Sequence, residues 1–185
     1  MFRRETYRNI NQSRKIRKIN KKKRRLQRRI SRKYLKNKKG ENYCKTCSII
    51  KSEKKLLKIT HRLTDIRHNY LHQITSEIVN RKPKFIVLED LNVKGMMKNR
   101  HLAKAVQEQS FYEFYRQIEY KCQWHKIEFI TAERYYPSSK LCSCCGYVKK
   151  DLKLSERVYI CPKCDNTIER DFQASINLMR YGLTV

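Results

Sequence analysis

Acidic residues are scarce in this chain, and long apolar runs are missing from it. Asp and Glu total 17 against 45 Lys and Arg, a formal charge of +28 on 185 residues. No ordinary globular enzyme needs that imbalance. A polyanionic partner is its physical reading, because each neutralised phosphate releases condensed counterions. A membrane surface would also attract the charge, but no apolar stretch nears the roughly 20 residues that span a bilayer, and no lipidation signal is present. The start, MFRRETYRNINQSRKIRK, lacks the apolar segment of a signal peptide. Eight cysteines without an export signal point to metal binding and free thiols in a reducing cytoplasm, not a disulfide scaffold.

The charge is concentrated at one end. Residues 1–40 carry 19 Lys and Arg against the single acid Glu5. Within them, Ile16, Ile19, Leu26, Ile30 and Tyr34 form a thin apolar stripe, which predicts a helix over 13–36. Leu56, Ile59, Leu63, Ile66, Tyr70, Ile74 and Ile78 predict a second over 52–80, the seam of an antiparallel pair. Arg14, Lys15, Arg17, Lys18, Lys21, Lys22, Arg24, Arg25, Arg28 and Arg29 are candidate nucleic-acid contacts. A merely solvated face is the bland alternative, against which the single sign argues: uncompensated repulsion destabilises an isolated helix.

Beyond Pro83 the pattern changes. Phe85–Leu88 is a short apolar run, expected to be a strand buried on both faces. A helix is predicted over 102–125, a strand over 127–132 and a last helix over 171–181. Strand–helix–strand points to an α/β sheet.

Between these elements lie Cys142-x-x-Cys145 and Cys161-x-x-Cys164. Each knuckle aims two thiolates at one point, and together they complete a tetrahedron of the kind structural Zn²⁺ takes, so a folded ribbon is expected there. Two disulfides or four unengaged thiols are the alternatives. Cys144 lies between two expected ligands. Cys44-x-x-Cys47 is a lone knuckle in the hairpin loop without further ligands in sight, and Cys122 suits a helix core face. His68 and His72 share a helix face but lack the glutamate of an H-E-x-x-H arrangement. Tyr135 and Tyr136 are weak candidates for stacking on unpaired bases. Glu89 and Asp90 close the first strand, where carboxylates could hold hard cations, and Asp171 opens the last helix, where a plain N-cap is the simpler role.

The strings KFIVLEDLNVKGM, YYPSSKLCSCCGYVKKDLKLS and ERDFQASINLMRYG, with RRLQRRISRKY and TDIRHNYLHQITSEIV, together resemble the TnpB (OrfB) proteins of bacterial insertion sequences. These are zinc-ribbon transposases related to the type V CRISPR effectors. The resemblance implies an RNA-guided, metal-dependent DNA endonuclease with a RuvC-like, RNase H-fold domain, acting on DNA in a bacterial cytoplasm with a guide RNA from the transposon end. It places the second and third catalytic carboxylates on Glu89 and Asp171, which would hold Mg²⁺, and the zinc ligands on Cys142, Cys145, Cys161 and Cys164. It also implies a first aspartate in a G-x-D-x-G strand, and this chain has none; its aspartates are Asp65, Asp90, Asp151, Asp165 and Asp171. The chain is therefore expected to be the C-terminal part of such a protein, with little nuclease activity alone. The expected fold class is α/β: a partial RuvC/RNase H-like domain (83–135, with the last helix at 169–185), a basic helical hairpin (1–82) and an inserted Zn(Cys)₄ ribbon (136–168). A nuclease-dead nucleic-acid-binding accessory or repressor is the alternative function.

Overall fold

The computed structural model describes residues 5–153 and 155–185. Ser13 caps helix α1 (Arg14–Lys36), its hydroxyl accepting from the Ile16 amide. Ile16 and Ile30 of the apolar stripe are buried, and all ten candidate basic contacts are exposed. The chain reverses through a small antiparallel pair, β1 (Lys38–Lys39) and β2 (Asn42–Tyr43), turning at Gly40 with φ +57°. Helix α2 (Cys47–Asn80) starts earlier than the stripe predicts, because Thr46 supplies an N-cap to the Ile49 amide and Ile49 and Ser52 are buried. The two helices are tied at the turn: Lys33 Nζ donates to Ser48 and Ser52, and Tyr34 to Glu53 at 2.6 Å.

Strand β3 (Phe85–Glu89) pairs in parallel with β4 (Glu128–Ala132), Glu89 opposite Ala132. Among the described residues this sheet has two strands, so Phe85–Leu88 are half-buried, not buried on both faces as expected. Between them come α3 (Val93–Lys98), α4 (Ala103–Gln109) and α5 (Phe111–His125). The single helix predicted over 102–125 is thus broken at Ser110, which adopts φ +56° and ends one helix while capping the next. Helix α5 packs on α2 across Val79, Ile118, Cys122 and Ile127, with Ile86, Leu88 and Phe129 from the sheet. Lys121 is also buried there, its ammonium satisfied by the His72 carbonyl, Thr75 and Ser76 at 2.7–3.0 Å. Burial pushes its pKa down.

The remaining elements are a second antiparallel pair, β5 (Val158–Ile160) with β6 (Thr167–Glu169), and helix α6 (Arg170–Thr184), which is longer than predicted and packs on β3 and β4. No helix among the described residues is long and apolar enough to cross a membrane.

Candidate functional site

The knuckles are built alike. The Cys142 amide donates to the Tyr147 carbonyl and the Cys161 amide to the Asn166 carbonyl; the Gly146 amide returns to Cys142 and the Asp165 amide to Cys161. The equivalent fourth positions, Gly146 and Asp165, both have positive φ, +73° and +52°. Aspartate is among the few non-glycine residues that tolerate this region. The turns bring amides onto sulfur: Cys144 N lies 3.4 Å from Cys142 Sγ, and Lys163 N 3.4 Å from Cys161 Sγ.

The sulfurs of Cys142, Cys145, Cys161 and Cys164 all lie within 4.8 Å of one another. Cys145 and Cys161 are 3.5 Å apart, Cys142 and Cys164 3.7 Å. A disulfide would need about 2.05 Å. A tetrahedron with metal–sulfur bonds of about 2.3 Å has edges of about 3.8 Å, so the spacing fits a four-coordinate thiophilic ion. Burial opposes ionisation of Cys161, but the amides of Lys163 and Cys164 together with the neighbouring Cys145 and Cys164 thiols bring its thiol down to about 6. Cys164 is pushed up, since neighbouring sulfurs cannot all carry charge without a cation among them. Tyr159, fully buried beside the thiols, completes the ribbon core with Leu152 and Ile168. Cys144 is exposed and outside the cluster.

The ribbon is tied to β3 and α6 by its entry segment. Ser138, buried, donates to the Glu89 carboxylate at the end of β3. Asn177 of α6 donates to the Ser138 and Leu141 carbonyls, both at 2.7 Å, and Arg180 to the Ser143 carbonyl. Gln173, Asn177 and Arg180 share one face of α6, and the first two are almost wholly buried. Ser138 had no signal in the sequence, since its role exists only once ribbon and strand meet.

Glu89 lines a cavity of about 690 Å³ with Leu88, Asp90, Phe111, Tyr112 and Leu178. Asp90 pairs with Arg134 at 2.8 Å. Asp171 lies in the first turn of α6, with Glu169 at the cap position, so it is not the N-cap. It is 3.3 Å from Arg170 and lines a different cavity, of about 450 Å³, with Tyr7, Ile78 and Arg81. The structure thus brings the four cysteines together but leaves Glu89 and Asp171 in separate cavities. Among the described residues, the four cysteines are the group of three or more clustered potential metal ligands. Tyr135 is almost fully exposed, whereas Tyr136 packs against Tyr181 with centroids 4.9 Å apart and the ring planes tilted by 59°.

A groove of about 590 Å³ runs between the hairpin helices, lined by Lys22, Arg25, Arg29, Lys55 and Lys58 with Leu26 and Ile59 at its floor. Five cations and no acid line it, which suits a phosphodiester backbone. Lys55 and Lys58 were not evident from sequence, because only the packing of α2 against α1 sets them opposite the arginines.

Residues 111–178 match the family model described as "Cas12f1-like, TNB domain". A Streptomyces pristinaespiralis protein named "Putative RNA-guided DNA endonuclease" is 36% identical over 133 residues, 72% of this chain and 33% of its own length. The Escherichia coli protein InsQ, named likewise, is 29% identical over 176 residues, 87% of this chain and 41% of its length. A TnpB-like protein of Acanthamoeba polyphaga mimivirus is 30% identical over 134 residues, 69% of this chain and 25% of its length. The chain spans about a third of the length of the first of these relatives. A chain of a Cas12f1–sgRNA–target DNA complex superposes with a TM-score of 0.59 at 18% identity, over 89% of this chain and 41% of that one. A chain of a CRISPR–Cas12f ternary complex gives 0.61 at 20%, over 89% and 32%. The arrangement of hairpin, parallel strands, ribbon and final helix is therefore a Cas12f-like mixed α/β fold, and with its sequence relatives it identifies the chain as a member of the TnpB family.

Proposed function

We propose that this chain is the C-terminal, nuclease-side part of a TnpB-like RNA-guided DNA endonuclease, and that by itself it binds RNA and DNA without cutting efficiently. The observation that carries the reading is the alignment of a parallel β3–β4 pair, ending in Glu89, with a helix that opens on Asp171 and a four-thiol ribbon between them. That order is the one expected of a partial RuvC/RNase H-like domain, with the divisions at 83–135, 136–168 and 169–185 and the hairpin before them.

In this reading the ribbon holds Zn²⁺ in a closed four-sulfur site, which stabilises the fold and leaves no open position for chemistry. Glu89 and Asp171 are the two carboxylates that would contribute to a Mg²⁺ site; bound Mg²⁺ would polarise the scissile phosphate and activate water. Ser138 is a positioning residue, fixing the Glu89 carboxylate through its hydroxyl. Mg²⁺ demands near-ideal octahedral geometry, and among the described residues neither carboxylate belongs to a cluster of three or more potential ligands. Cleavage by the 185-residue chain is therefore expected to be slight or absent. The basic face of α1 and the groove against α2 are the surface that would carry a guide RNA and its DNA target.

The test is a supercoiled-plasmid assay with Mg²⁺ and a transposon-end RNA, run alongside a Glu89→Gln variant. Binding without nicking is expected of both proteins. Cleavage by the native chain that Glu89→Gln abolishes would overturn the claim of inactivity. A second reading, a nucleic-acid-binding accessory or repressor, is favoured by a basic groove complete within this chain while the carboxylates lie in separate cavities. It predicts that Glu89→Gln and Asp171→Asn leave binding unchanged, with or without Mg²⁺.

A further inference from the structure

Lys23 interrupts the apolar stripe of α1. Ile16, Ile19, Leu26 and Ile30 follow one another at steps of three, seven and four, and position 23 divides the step of seven into four and three. A charged residue in such a seam costs stability. Lys23 is half-buried, and Leu63 of α2, which lines the same cavity, is buried.

That cavity, of about 350 Å³, is walled by three helices. Asn20 and Lys23 come from α1, Arg67 from α2, and Lys104, Gln107 and Glu108 from α4. It shares no lining residue with the basic groove farther along the hairpin. Its one carboxylate is already engaged: Arg67 pairs with Glu108 at 3.3 Å and donates through Nε to Asn11 Oδ1 at 2.8 Å. Among the described residues, neither Lys23 nor Lys104 forms an ion pair. With His68, also on the wall, counted as neutral, three cations against one carboxylate leave an excess of +2. The side-chain amides of Asn20 and Gln107 add neutral donors beside the two ammonium groups. Register alone would explain a single lysine in a helical seam, since one polar side chain suffices to set it. It does not explain donors that converge from separate helices on uncompensated charge.

The excess selects the ligand. An internal phosphodiester carries one negative charge, whereas a phosphomonoester carries about −1.5 to −2 at pH 7 and presents three acceptor oxygens. We infer that this cavity binds a phosphomonoester dianion, held by the Lys23 and Lys104 ammonium groups with the Asn20 and Gln107 amides beside them. The group comes either from free phosphate or from the terminal phosphate of a nucleic-acid strand; the internal phosphates belong to the groove.

The test uses the full chain freed of nucleic acid, beside two variants of equal charge. Lys23→Met continues the apolar stripe, and Lys51→Met removes an exposed lysine about 18 Å along α2 from Leu63. Two probes are compared. Inorganic phosphate is set against chloride at equal ionic strength, with the thermal midpoint as readout. A single-stranded oligonucleotide with or without a terminal phosphate is read by its Kd. With either source, the native chain and Lys51→Met should respond and Lys23→Met should not. Free phosphate as the ligand gives a midpoint that rises saturably with its concentration. A strand terminus as the ligand gives roughly tenfold tighter binding of the phosphorylated oligonucleotide. Without phosphate, Lys23→Met should be at least as stable as the native chain. Lys23→Met matching the native chain with both probes, equal losses in the two variants, or a Lys23→Met chain destabilised without phosphate yet still responsive to it would each overturn the proposal. The inorganic-phosphate arm contains no nucleic acid, so its result stands apart from the fate of the groove.

Discussion

Gly182 sits where α6 comes nearest to the sheet. A Cβ at this position would meet Val87 Cγ2 at 2.5 Å and Phe85 Cε2 at 2.6 Å, distances no relaxed contact allows. Two effects oppose each other in Gly182→Ala. Alanine is the better helix former by up to about 1 kcal/mol, while forcing a methyl into packed neighbours costs about 1–3 kcal/mol. Because Val87 and Phe85 are anchored in β3 and cannot swing aside as a long flexible chain would, the clash should win. Urea denaturation is expected to show the variant less stable by about 1–2 kcal/mol. An unchanged or raised midpoint would mean that α6 does not rest on β3 as described. Gly146 is held for a different reason: a Cβ there would meet nothing within 4 Å, but φ is +73°, so its constraint is conformational alone.

At the scale of elements, the ribbon serves the sheet as well as itself. Its entry segment, through Ser138 and Leu141, holds Glu89 on one side and Asn177 of α6 on the other. The buried Asn177 amide would cost stability if it lost the Ser138 and Leu141 carbonyls, and buried Gln173 accepts from the Ser143 amide of the same segment at 3.5 Å. Metal removal should therefore be felt beyond the ribbon. After chelation, amide exchange is expected to accelerate over 138–168 and along α6, whereas α1 and the first half of α2 keep their protection. Exchange confined to the ribbon would show that α6 is held by the sheet alone. The sequence foretold the four-cysteine cluster because its ligands are local, three positions apart in each knuckle, and the hairpin because its stripes are regular. It did not foretell the break at Ser110, a non-glycine residue at φ +56°, nor the half-buried state of Phe85–Leu88, which depends on neighbouring elements rather than on the run itself. The Ser138–Glu89 contact spans 49 residues and leaves no periodic trace.

For the molecule as a whole, the question is whether +28 charges act as a diffuse cloud or through a built surface. Net charge alone would strengthen binding to any polyanion and make every exposed lysine or arginine equivalent. The groove between α1 and α2 predicts otherwise. Lys22, Arg25 and Arg29 face Lys55 and Lys58 across it, whereas Arg17, Arg24 and Arg28 lie on the far side of α1 at helical spacing. Two triple glutamine variants, one of each set, have the same net charge. Counterion release gives a slope of log K against log salt of about −0.9 per phosphate neutralised on duplex DNA, and about −0.7 on single strands. The Lys22/Arg25/Arg29 variant is expected to lose about two to three units of that slope and to bind about uniformly more weakly across sequences. The Arg17/Arg24/Arg28 variant should lose less than one. Equal losses would show a diffuse cloud and remove the groove from the nucleic-acid interface; a larger loss in the second set would move the interface to the opposite face of α1.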